Sequence, residues 1–103
     1  MKIFGKIKSM GATQADPNGK WEKTDMVIEF VEEFANQEPM VHELLATSFQ
    51  PINREEVEKA NQANTTYPIF LSFSVKRGVG KTSGKPFEIQ DTVARFLSPI
   101  RKA

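Results

Sequence analysis

From Tyr67 to Lys76 apolar side chains recur at every second position, with Ile69, Leu71, Phe73 and Val75 set between Phe70, Ser72, Ser74 and Lys76. This is the period of a β-strand with one face against a core, and it is the clearest strand in the chain. The run from Lys76 to Pro86 is basic, carries Gly78, Gly80 and Gly84, and closes in proline, after which Phe87 and Ile89 resume the alternation. The pattern predicts a long hairpin with a mobile, cationic tip.

Earlier in the chain the same period returns three times. Over Lys2 to Met10, Ile3, Gly5 and Ile7 share one face while Lys2, Phe4, Lys6 and Lys8 share the other. Gly5 inside this strand points to a bulge, a tight bend at a barrel corner or a close backbone approach. Residues 11–20 lack large apolar side chains and contain Asp16-Pro17-Asn18-Gly19, a turn signal, so they read as a loop. A long strand follows, with Met26, Ile28 and Phe30 on one face and Trp21, Lys23, Asp25, Val27, Glu29 and Val31 on the other. Polar residues from Glu32 to Pro39 connect it to a third strand, Met40 to Phe49. There Val41, Leu45 and Phe49 compete with Met40, Leu44 and Ala46 for the inward face, which a bulge would reconcile.

Asn53 is a helix cap with Glu56 three residues on, and the helix it starts reaches Asn64. Ile52, Val57 and Ala60 are its apolar positions, enough to plug the end of a barrel, and Glu55 and Lys59 stand at pairing distance along it. The closing strand runs from Phe87 to Ile100, and the break in alternation at Val93, Ala94, Phe96 and Leu97 predicts a bulge near Asp91 or Thr92.

Composition narrows the chemistry. The 103 residues read as one domain, residues 1–103, large enough to bury a core without staples. Cysteine is absent and His42 is the one histidine, so thiolate and histidine-cluster metal sites are excluded, and His42 reads as a surface or satisfied residue. With no membrane-length apolar run and no signal-type core near Met1, the expectation is a soluble, cytoplasmic protein with no membrane partner. Net charge is +1, but the charges are segregated: 4 − 1 = +3 for residues 1–20, 3 − 10 = −7 for 21–64 and 7 − 2 = +5 for 65–103. Basic ends and an acidic middle orient a polyanion on one surface and repel it from another.

Gly80-Lys81-Thr82 matches the end of the phosphate-binding loop of nucleotide hydrolases. That loop also needs a glycine where Val75 stands and a helix where Ser83, Gly84 and Pro86 follow, so the match is set aside. The tip remains either a solvated turn or a basic finger for a polyanion.

The order strand, strand, strand, helix, strand, strand at this length is that of the oligonucleotide/oligosaccharide-binding (OB) fold, a five-stranded Greek-key β-barrel with one short helix. Periodicity alone leaves other small half-open barrels in play. The start Ile3-Phe4-Gly5-Lys6-Ile7, the strand Met26 to Glu33, and Gly84-Lys85-Pro86-Phe87 leading into Arg95-Phe96-Leu97 resemble single-stranded-DNA-binding proteins and the short domains related to them. The resemblance implies a groove that tracks single-stranded nucleic acid, most simply DNA in replication or repair, without chemistry or cofactor, often in an oligomer. Phe4, Trp21 and Phe70 would stack bases, and Lys6, Lys8, Lys76, Arg77, Lys81 and Lys85 would meet phosphates.

Asp25, Glu29 and Glu43 oppose this reading, because they fall on or near the strands where such proteins make contact. The acidic C-terminal tail of the family is also replaced by Arg101-Lys102-Ala103. The alternative is a barrel of the same fold that binds a protein or assembles with itself through Val27, Val31 and Phe70. An enzyme is not expected, since no nucleophile, metal set or cofactor loop accompanies the carboxylates. A metal held by Asp25, Glu29 and Glu43 is the one arrangement left open.

Overall fold

The computed structural model describes residues 1–102, except for the side chain of Lys76. Its elements are β1 (Lys2–Met10), β2 (Gln14–Ala15), β3 (Glu22–Glu32), β4 (Met40–Ser48), α1 (Arg54–Gln62), β5 (Tyr67–Val79) and β6 (Pro86–Phe96). β1 is shared between two neighbours. Its first half pairs with β5, from Lys2↔Phe70 to Gly5↔Tyr67, and its second half with β3, from Gly5↔Phe30 to Met10↔Met26. β3 pairs with β4, β4 meets β6 in parallel at Thr47↔Val93, and β6 returns to β5, which closes a five-stranded barrel. With α1 between the third and fourth barrel strands, this is the OB Greek-key barrel.

The change of partner falls on Gly5, and the reason is space. A Cβ there would lie 2.5 Å from the Glu29 carbonyl oxygen, so only glycine lets β1 cross this closely to β3. Just beyond, Ile7↔Ile28 is followed by Ser9↔Val27, a bulge that leaves Lys8 as the extra residue. The bulge does not orphan its backbone. The Ile7 amide donates to the Tyr67 hydroxyl at 2.7 Å, and the Ile7 carbonyl accepts from Asn61 Nδ2 at 2.8 Å.

Inside the barrel lie Ile7, Met26, Ile28, Ala46, Ile69, Leu71, Ala94 and Phe96, joined by Val57 of α1 and by Ile100. Burial of each larger side chain stabilises the barrel by about 1.5–3 kcal/mol. The helix acts as the expected plug. Val57 is buried and Ile52 is packed against the core, while the Asn53 side chain accepts from the Glu56 amide at 3.4 Å. Lys59 pairs with Glu56, one turn position nearer than Glu55, at 3.5 Å.

Several expectations change. The loop over residues 11–20 contains β2, which pairs Gln14 and Ala15 with Lys23 and Glu22 around the Asp16–Gly19 turn. No bulge occurs in β4 or β6: their registers with β3 and β5 run unbroken. In β4 the even positions simply face inward, which leaves Val41 and Leu45 outside, and β6 ends at Phe96 with Ile100 tucked in after a turn. β5 follows its alternation into the core only as far as Leu71. Phe73 and Val75 keep the inward phase but are exposed, because β5 and β6 run on past the barrel as a free ladder reaching Val79↔Pro86. That extension gives extents of 48 × 40 × 19 Å and a radius of gyration of 16.2 Å, against about 13 Å for a compact chain of this length. Among the described residues no helix is long and apolar enough to cross a membrane.

Candidate nucleic-acid interface

The barrel sorts the proposed binding residues into three places. Phe4 and Phe70 come together on the outer face of β1, β5 and β6. Cross-strand register sets Lys2 opposite Phe70 and Phe70 opposite Arg95, with Phe4 two positions along β1. Side chains on neighbouring strands in register lie on the same side of the sheet, so these four form one patch. Phe4 is 58% and Phe70 37% exposed, and the Lys2 ammonium sits 5.2 Å from the centre of the Phe4 ring. Among the described residues no carboxylate pairs with Lys2 or Arg95.

The same side of the β5–β6 ladder continues through Ser72↔Val93 and Ser74↔Asp91 to Gly78↔Phe87 near the tip. The Phe87 ring covers Gly78, where an added Cβ would lie 2.8 Å from Cζ. Gly80–Lys85 close the hairpin, the Gly80 amide donating to the Lys85 carbonyl at 2.9 Å, and Lys81 and Lys85 are exposed there. Arg77 pairs across the ladder with Glu88 at 3.4 Å. The side chain of Lys76 lies outside the described residues.

Lys6 and Lys8 belong to a different face. After the crossover at Gly5 they stand beside β3 and β4, where Glu29 and Glu43 are direct cross-strand neighbours. Lys6 lies 3.9 Å from Glu29 and donates to Asn64 Oδ1 at 2.6 Å, and Lys8 is hydrogen-bonded to Glu43. That hydrogen bond, with the attraction of the Glu43 charge, raises the Lys8 ammonium above its usual range. Asp25 on the same face accepts from Thr47 Oγ1 at 2.7 Å. Among the described residues no three carboxylate or imidazole groups converge as a metal set.

Trp21 stands apart from both, exposed before β3, with its carbonyl accepting from the Asp16 amide at 2.9 Å. His42 stacks on Phe30 at 5.1 Å and lies 3.2 Å from Glu32. At Tyr67, burial pushes the hydroxyl up, partly offset by the bond from the Ile7 amide.

Lys2 and Arg95 were the residues missing from the sequence-derived set. Lys2 shares its face with Phe4 by simple alternation. Arg95 was hidden by the bulge expected at Asp91 or Thr92, which left its side of the sheet open; an unbroken register puts it beside Phe70. No family model matches this chain, and no characterised protein matches it in sequence.

Proposed function

We propose that this protein binds single-stranded nucleic acid, most simply DNA, without catalysis, along the outer face of β5 and β6 and the first half of β1. The carrying observation is the patch in which Phe70 is flanked in register by Lys2 and Arg95, next to an exposed Phe4. Exposed aromatic rings offer a stacking surface to any base, worth about 1–3 kcal/mol for each base stacked. Cations without carboxylate partners release counterions when they meet phosphate. Ser72 and Ser74 supply hydroxyls between this patch and the cationic tip, where Lys81 and Lys85 meet the strand as it leaves the barrel. The ladder from Ile69 to Val79 is long enough, at about 3.3 Å per residue, to hold several nucleotides.

On this reading Lys6 and Lys8 hold the carboxylates of β3 and β4 and contribute little to the ligand. The test is fluorescence anisotropy of a labelled, mixed-sequence single-stranded oligonucleotide, with duplex as competitor, over a range of salt. Binding that prefers the single strand and weakens steeply with salt is expected. No binding at low salt would remove the proposal and leave the barrel as a protein-interaction or self-assembly module.

A further inference from the structure

Two hairpin ends project from the same end of the barrel. β4 and β6 run parallel where they meet at Thr47↔Val93, so the turn that precedes each of them lies on the same side of that bridge. Met40 lies seven residues before Thr47 and Pro86 seven before Val93, so both prongs reach about 23 Å at about 3.3 Å per residue. Past Phe30 in β3 and Leu71 in β5, among the described residues, β1 no longer pairs with either hairpin. At their root a groove of about 470 Å³ separates the prongs, with Leu45 on one wall and Gln90 and Thr92 on the other.

The prongs are alike in apolar surface and opposite in charge. Val31, Phe34 and Val41 are exposed on the first, and Phe73, Val75 and Val79 on the second. Residues 31–43 hold four carboxylates and neither lysine nor arginine, 0 − 4 = −4. Residues 75–90 hold Lys76, Arg77, Lys81 and Lys85 against Glu88, 4 − 1 = +3. At the two turns these charges are unpaired. Among the described residues Glu33 and Glu38 have no cation within pairing distance, and Lys81 and Lys85 have no carboxylate.

We infer that two copies of this chain associate about a two-fold axis, the basic prong of each lying along the acidic prong of the other. Charge selects this occupant. A polyanion suits the basic prong and is repelled by the acidic one, and a cationic protein does the reverse, whereas a second copy satisfies both prongs at once. Because the prongs have equal reach and a common direction, one rotation makes both contacts, and the pair closes as a dimer. Exposed ion pairs alone hold little, so the apolar residues supply the contact and the charges decide which prong meets which. On the basic prong the contact uses the side of the ladder that carries Phe73 and Val75, opposite the side of Phe70 and Ser72.

Light scattering at low salt should give a dimer for the natural protein, and the dimer should dissociate as salt rises. Two double variants each reverse one turn: Glu33→Lys with Glu38→Lys, and Lys81→Glu with Lys85→Glu. All four residues are exposed, so the far-ultraviolet circular dichroism should not change. Each variant alone should be monomeric, because both of its turns then carry one sign. An equimolar mixture should recover a dimer of one variant with the other. Lys81 and Lys85 are also proposed contacts of nucleic acid, so no oligonucleotide is added and the result stands apart from that reading. A natural protein that is monomeric at high concentration, or masses that climb past the dimer, would overturn the inference. So would a variant that stays dimeric alone, or a mixture that stays monomeric.

Discussion

On the face built from the second half of β1 with β3 and β4, Lys6 and Lys8 stand among Glu29 and Glu43. On the face built from the first half of β1 with β5 and β6, Lys2 and Arg95 stand beside Phe4 and Phe70. One strand supplies lysines to both, and its crossing at Gly5 decides which lysine goes where. The acidic middle of the chain forms β3, β4 and α1, and its basic end forms β5 and β6. Folding therefore preserves the segregation of charge, with β1 as the seam. Equal lysines have unequal surroundings because of the strand next to them: two pair with carboxylates, and the other has no carboxylate partner among the described residues.

The largest effect on this arrangement comes from the seam. Gly5→Ala forces a Cβ against the Glu29 backbone, which cannot retreat without opening the barrel. It should destabilise the protein by about 3 kcal/mol, read as a fall in the urea midpoint, and blur both faces together.

Phe70→Ala tests the aromatic face alone. Loss of one stacked base, about 2 kcal/mol, should weaken oligonucleotide binding about 30-fold in the anisotropy titration. The fold should survive, since Phe70 lies outside the core cluster.

Tyr67→Phe probes the bulge that separates Lys8 from the regular ladder. Removing the hydroxyl leaves the Ile7 amide without its acceptor and should cost about 1–2 kcal/mol of stability. The folded protein holds the Tyr67 proton more tightly than the unfolded chain, whose tyrosine titrates near its ordinary value of about 10. Tyr67 thus contributes stability that is complete below about pH 10 and is lost as the pH rises through the higher folded value. In denaturant titrations the alkaline decline should be shallower in Tyr67→Phe than in the natural protein.

Much of the barrel was legible because alternation is a local signal. β1, β3, β4, β5 and the capped helix follow from which positions are apolar, and the Asn53 cap lies where its spacing to Glu56 requires. What alternation does not carry is where a strand leaves the barrel. Phe73 and Val75 continue the pattern of Ile69 and Leu71, yet no β1 residue stands opposite them, so they face solvent. The two expected bulges arose from a related ambiguity: apolar residues sit on both sides of β4 and of the end of β6, and sequence does not say which side is covered. The real bulge, at Lys8, lies in a polar stretch whose only signal was Gly5 nearby.

The candidate site was legible residue by residue but not as a constellation. Phe4, Lys6 and Lys8 share one side of β1 in sequence. The division of that side between two sheets depends on strand pairing more than 60 residues away, from Gly5 to Tyr67. The pairing of Lys8 with Glu43 is of the same long-range kind.

The smallest effects belong to the neutralised lysines, and they set up the decisive comparison. Oligonucleotide affinity should be measured against salt for the natural protein, for the pair Lys2→Ala with Arg95→Ala, and for the pair Lys6→Ala with Lys8→Ala. If two phosphates are met by Lys2 and Arg95, the first pair should lower the slope of log affinity against log salt by about 1.4, at about 0.7 for each single-strand phosphate contact. The second pair should leave the slope where it was. An unchanged slope without Lys2 and Arg95, together with a reduced one without Lys6 and Lys8, would contradict the account and return the binding site to the face of β3 and β4.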